Sequence, residues 1–190
     1  MNPTSPPDLT ARLTRCFPSA AGVPPEFRLD PRRYERWCLL DGQLTTWQGA
    51  MTEVSSPLCL EQGGTLSRPV IGHVPLMDEA AALQGLEAAV RAWDNGRGHW
   101  PTRTVARRIE AVEGFITRML TVRDEVVKLL MWEVGKSLED SRKEFDRTVD
   151  YIRKTIEALK DIDRAGSRFS VDGGVIAQVR RAPLGVVLSM

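Results

Sequence analysis

The stretch 180-RRAPLGVVLSM-190 decides how the rest of the chain is read. From Leu184 to Met190 it is almost unbroken apolar sequence with two adjacent β-branched valines. It does not alternate, as a strand with one wet face would, so it predicts a strand buried on both faces, the kind found in a parallel sheet covered by helices. Such a strand needs neighbours and a crossover connection after it. In open sheets of this kind ligands bind just beyond the carboxyl ends of the strands. The expectation is therefore an α/β protein whose chain stops where a ligand crevice should begin, that is, the front part of a longer, truncated molecule.

The bulk composition is that of an ordinary globular domain. The 190 residues are 42% hydrophobic and 27% charged, and 26 basic against 25 acidic residues leave a formal charge of +1. No one-signed field is available to hold nucleic acid or an anionic membrane. No apolar stretch reaches the ~18 residues that span a bilayer, and the N-terminus lacks the apolar centre of a secretory signal. Three cysteines, Cys16, Cys38 and Cys59, form an odd set without CxxC spacing, so they signal neither a disulfide framework nor a zinc site. A reducing cytoplasm is the expected setting.

Working back from the terminus, 167-SRFSVDGGVIAQVRR-181 alternates around Asp172-Gly173-Gly174 and predicts a β-hairpin. Before it, Leu138, Phe145, Val149, Ile152, Ile156 and Leu159 recur at helical spacing. Ser137 and Asp140 resemble a capping box at the start of that helix, and Gly166 is placed to end it. Val105, Ile109, Val112, Ile116 and Met119 predict another helix from near Thr102, interrupted near Thr121 and continuing to Gly135. Leu83, Leu86, Val90 and Trp93 form the stripe of an earlier one, broken by 94-DNGRGHWP-101. Short β-prone runs flank Asp41-Gly42, and 68-RPVIGHVPLM-77 is a further such run. Residues 1–30, rich in Pro, Ser and Thr, read as a mobile arm. The organisation expected is an arm (1–30), a hairpin and helical part (31–167), a second hairpin (168–182) and a terminal strand (183–190).

Few motifs carry chemistry. The run 133-EVGKS-137 suggests a phosphate-binding loop, but Leu130 stands where that loop needs its first glycine, and a helix leads in instead of a strand. Gly96 and Gly98 lack the third glycine and the strand–turn–helix context of a dinucleotide fingerprint. His73 and His99 are far apart with no carboxylate pattern beside them, so no metal site is expected. Arg147 is different. It lies about 200° of helical rotation from Phe145 and Val149, away from the apolar stripe. A surface pair with Glu144 and an anion-binding role are both open to it.

Taken together, 39-LLDGQLTTWQGAMTEVSSP-57, 94-DNGRGHWPTRTVARRIEAVEGFITRM-119, 129-LLMWEVGKSLEDSRKEFDRTVDYIRKTIEALKD-161 and 182-APLGVVLSM-190 resemble the N-terminal part of the aldehyde dehydrogenase superfamily. Within it, the NADP-dependent, non-phosphorylating glyceraldehyde-3-phosphate dehydrogenases are the most similar group. The resemblance covers about residues 24–190. It implies that PLGVV opens the first strand of a Rossmann-like cofactor domain, with Leu188, Ser189 and Met190 bordering NADP. It implies that Arg147, in 144-EFDRTVDYI-152, contacts the substrate phosphate. It also implies that the 168–182 hairpin is an oligomerisation arm, in a homo-oligomer expected to be a tetramer.

The parent reaction implied is oxidation of glyceraldehyde 3-phosphate to 3-phosphoglycerate. A cysteine thiolate attacks the aldehyde, hydride passes to the cofactor, and a glutamate activates water. The segments that supply the family's catalytic cysteine, glutamate and asparagine have no counterpart in these 190 residues. None of the three cysteines sits in the nucleophile's context, and the chain alone is expected to be inactive. Two further readings are a helical interaction module that docks on a full-length homologue and a free-standing helical protein of unrelated function.

Overall fold

The computed structural model describes residues 9–14, 16–33 and 36–189. A short helix α1 (Leu9–Thr14) and two single-turn 3-10 segments (Ala20–Gly22, Pro25–Phe27) precede six strands. These are β1 (Trp37–Leu40), β2 (Gln43–Thr46), β3 (Met51–Ser55), β4 (Leu60–Gln62), β5 (Thr65–Ser67) and β6 (Val70–Pro75). Four helices follow, α2 (Glu79–Trp93), α3 (Val105–Thr121), α4 (Arg123–Val134) and α5 (Leu138–Gly166), and then β7 (Ser170–Asp172) and β8 (Val175–Ala177). The strands pair only two by two, as β1–β2, β3–β6, β4–β5 and β7–β8. The chain divides into two compact units. The first takes in the described residues up to Cys38 with Leu44–Leu76 and Asp124–Arg142; the second takes in Leu39–Gln43, Met77–Arg123 and the chain from Lys143 onward.

Local chemistry explains most boundaries. Ser137 caps α5: its Oγ accepts from the Asp140 amide at 3.1 Å and donates to Asp140 Oδ2 at 2.8 Å. Asp78 and Thr104 cap α2 and α3 in the same manner. Between α2 and α3, Asp94, Asn95 and Gly96 all adopt positive φ, which stops the helix. Gly98 then passes so close to α2 that a Cβ would lie 1.8 Å from the Ala92 carbonyl oxygen. The two glycines between β7 and β8 also take positive φ, as a two-residue hairpin turn requires.

In unit 2 the buried apolar side chains are Ala88 on α2 and Ile109, Ile116, Phe145, Val149 and Ile156, which belong to the stripes foreseen for α3 and α5. In unit 1, β3 and β6 pair antiparallel with an irregularity between Val54 and Ser55. There α4 buries Val127, and Ser56 Oγ donates to the Trp132 carbonyl while accepting from the Leu58 amide.

Three expectations are corrected. The strand expected at 183–190 does not form: residues 183–189 have no ladder, Leu184 is 96% exposed and Leu188 80% exposed. Every strand pair among the described residues is antiparallel or a tight hairpin, so no parallel neighbour exists for this segment to join. The segment expected as an arm carries turns instead, because proline starts the turn at Pro25–Phe27 and the Trp132 indole donates to the Phe27 carbonyl at 2.6 Å. Residues 1–8 and 15 of that arm lie outside the described residues. On α2, the stripe of Leu83, Leu86 and Val90 is half exposed, at 50–52%, and the small Ala81, Gly85 and Ala88 turn inward. Small side chains let a helix approach its neighbour closely, and a Cβ on Gly85 would already lie 3.7 Å from Leu40 Cδ1.

Phe145 is 2% exposed and Phe115 is 56% exposed. Phe145→Ala is expected to lower unfolding stability by about 3–5 kcal/mol and Phe115→Ala by no more than about 0.5 kcal/mol, read from urea melts of helical circular dichroism.

Candidate functional site

Arg147 projects from the exposed side of α5, the face opposite Phe145 and Val149. What matters for its chemistry is which carboxylates near it are already engaged. Asp146 is held by Arg123 through two hydrogen bonds, 2.9 Å from Nε and 2.8 Å from Nη2, the fork-to-carboxylate geometry that guanidinium favours. Arg123 is itself steadied over the Phe145 ring, 5.8 Å from the centroid. Asp150, one turn along from Arg147, pairs with Lys154 at 2.7 Å. That hydrogen bond, with the attraction behind it, raises the Lys154 pKa above its ordinary value. Among the described residues Arg147 makes no hydrogen bond or ion pair, so the surface pair with Glu144 does not form. The result is a guanidinium whose five donors remain in water on a rigid helix, beside the exposed ring of Tyr151.

The other expected site positions are not assembled into anything. Leu188 and Ser189 are exposed and unpaired in any sheet, and Met190 lies outside the described residues. Gly96 and Gly98 serve the turn between α2 and α3. No group of three or more His, Cys, Asp or Glu among the described residues is placed to hold a metal. No described helix is long and apolar enough to cross a membrane. Cys38 Sγ lies 3.2 Å from Thr45 Oγ1 on the first hairpin, away from any acid–base partner.

The sequence profile of the aldehyde dehydrogenase family matches residues 64–190, more than half of the chain. The chain belongs to the aldehyde dehydrogenase family. It is 29% identical over 119 residues to an N-succinylglutamate 5-semialdehyde dehydrogenase of Pseudomonas fluorescens, an alignment covering 63% of this chain and 24% of that protein. It is 25% identical over 118 residues to a malonate-semialdehyde dehydrogenase of Bacillus cytotoxicus, covering 62% of this chain and 23% of that one. A solved NAD-dependent benzaldehyde dehydrogenase from Corynebacterium glutamicum shares the fold, with a TM-score of 0.55 and 16% identity over 77% of this chain and 28% of the other. The chain thus spans about a quarter of the length of the relatives it matches.

Sequence reasoning singled out Arg147 but missed the Arg123–Asp146 pair, since 23 residues separate the partners. Arg147→Ala is expected to change stability by less than about 0.5 kcal/mol, whereas Arg123→Ala costs about 1 kcal/mol or more through loss of the bidentate pair, both read from chemical denaturation.

Proposed function

We propose that this chain is the N-terminal portion of an aldehyde-oxidising enzyme whose substrate carries a negative charge, with Arg147 as the residue that binds that charge. The observation that carries the reading is the unpaired, solvent-facing guanidinium on α5, left free because Asp146 and Asp150 are engaged by Arg123 and Lys154. A guanidinium fork matches phosphate or carboxylate better than any other side chain. Membership of the aldehyde dehydrogenase family supports the reaction class, and the names of two relatives, a succinylglutamate semialdehyde and a malonate semialdehyde dehydrogenase, are consistent with anionic aldehydes. Glyceraldehyde 3-phosphate is the substrate we infer, with NADP as the acceptor. The β7–β8 hairpin, fully exposed on both strands, is the element by which subunits of a tetramer join sheets.

Within that enzyme Arg147 orients the substrate's anionic end, so that the carbonyl is presented to a nucleophile supplied by another segment. The cofactor, when bound, takes up hydride. The rest of this chain supports the clamp: α5 is held by its buried stripe, and Arg123 fixes its neighbouring carboxylate.

The test uses the complete reading frame that contains these residues. Arg147→Gln is expected to raise KM for glyceraldehyde 3-phosphate at least tenfold with little change in kcat, and to leave oxidation of propionaldehyde unchanged. An equal loss with both aldehydes would overturn the role of Arg147. The 190-residue chain alone is expected to reduce no NADP+ with either aldehyde above a mock purification, because the reacting groups must be held together.

A second reading is favoured by one observation. Phe169, Val171, Val175, Ile176 and Val179, in and around the hairpin, are each at least 65% exposed. An apolar, unpaired edge of this kind suits docking on a full-length homologue as a non-catalytic module. Co-purification of the tagged chain with such a homologue, lost on Val171→Lys and Ile176→Lys substitution, would support it.

A further inference from the structure

Between α3 and α5 in unit 2 lies a groove of about 480 Å³ that Arg147 does not line. Trp100 and Tyr151 are its aromatic walls, and Val112 and Ile152 add aliphatic surface. Two threonines line it as well, but both hydroxyls are turned back onto their own helix. Thr148 Oγ1 donates to the Glu144 carbonyl at 2.9 Å and Thr155 Oγ1 to the Tyr151 carbonyl at 2.8 Å. What they offer the groove is methyl groups. Arg108 is the single charged residue on this lining.

Arg108 is also the one side chain here that is left chemically incomplete. Its Nε is buried and has no hydrogen-bond acceptor, and the guanidinium makes no ion pair among the described residues. A buried donor without a partner is unfavourable, and a charged one more so. Arg108 and Leu159 also line the adjoining pocket, of about 540 Å³, where Arg180 and Arg181 stand against the lone carboxylate of Asp163. Val105, in the first turn of α3, lines that same pocket and adds the positive end of a 17-residue helix. An apolar groove lined in part by a guanidinium whose Nε lacks an acceptor, adjoining a pocket lined by further cations, is complementary to an amphipathic anion.

We propose that Arg108 and the α3–α5 groove form a binding site for a small organic acid, the carboxylate on the Arg108 fork and the hydrocarbon body between Trp100 and Tyr151. The site is distinct from the Arg147 face and does not depend on the reading given above for that residue.

Octanoate is the probe, with octan-1-ol as its uncharged counterpart and inorganic phosphate as a charge without a body, titrated into the 190-residue chain by calorimetry. Saturable binding of one octanoate per chain is expected, with octan-1-ol and phosphate each at least tenfold weaker. Arg108→Met is expected to bring octanoate down to the level of octan-1-ol, and Val112→Trp, which fills the groove, to abolish binding of both. Arg147→Gln is expected to change nothing, which separates this site from the substrate clamp. Circular dichroism of each variant verifies the fold, and Arg180→Gln with Arg181→Gln, both at exposed positions, gives a second and milder loss of octanoate affinity. Equal affinity for octanoate and octan-1-ol, indifference to Arg108→Met in a folded chain, persistence in Val112→Trp, or no saturable binding would each overturn the proposal.

Discussion

Burial of one apolar stripe on α5 is the constraint to which the second unit answers. A 29-residue helix this rich in charge has little reason to hold together in water except through its packed face. Phe145, Val149 and Ile156 supply that face, and Ile109 and Ile116 on α3 are the buried residues that complete it. Most of the helix outside the stripe is charged or polar and therefore free to be arranged for other purposes. The capping box at Ser137 sets where the helix begins, and so sets the rotation at which every later residue emerges.

That rotation gives the charged face its character. Lys154–Asp150, Lys160–Glu157 and Arg164–Asp161 are ordinary within-helix pairs, each exposed and each contributing little to stability. Arg123–Asp146 reaches in from another helix and is bidentate, with an aromatic ring beneath the cation. With those acids committed, Arg147 is left without a counter-ion. Arg108 is left without an ion pair in a different setting: on its groove side the lining is apolar or made of hydroxyls already bonded to their own backbone. One helix pair thus presents two guanidinium groups in two settings, one wet and one partly enclosed.

Several exposed apolar residues fall in three stretches. Leu83, Leu86 and Val90, the hairpin around Gly173-Gly174, and the run from Leu184 to Leu188 are sequences written for burial, yet they face water here. The chain spans about a quarter of the length of the relatives it matches. Residues 183–189 form no ladder. A ladder needs a partner's amides and carbonyls, and each described strand pairs with one other strand and not with this segment.

Sequence by itself determined the local elements. Helical spacing at Val105, Ile109, Ile116, Phe145, Val149 and Ile156, the caps at Ser137 and Gly135, and the Asp41-Gly42 and Gly173-Gly174 turns are all formed where they were expected. These features depend on neighbours within a turn or two, and so are legible without knowing the fold. The β4–β5 hairpin at Gly63-Gly64 was equally local, though its short strands gave too little alternation to stand out. Tertiary structure alone decided which side of α2 turned inward, which partner took Asp146, and that Trp132 would anchor Phe27 across 105 residues. Each of those outcomes is a competition between distant groups for the same space or the same hydrogen bond, and no short stretch of sequence holds both competitors.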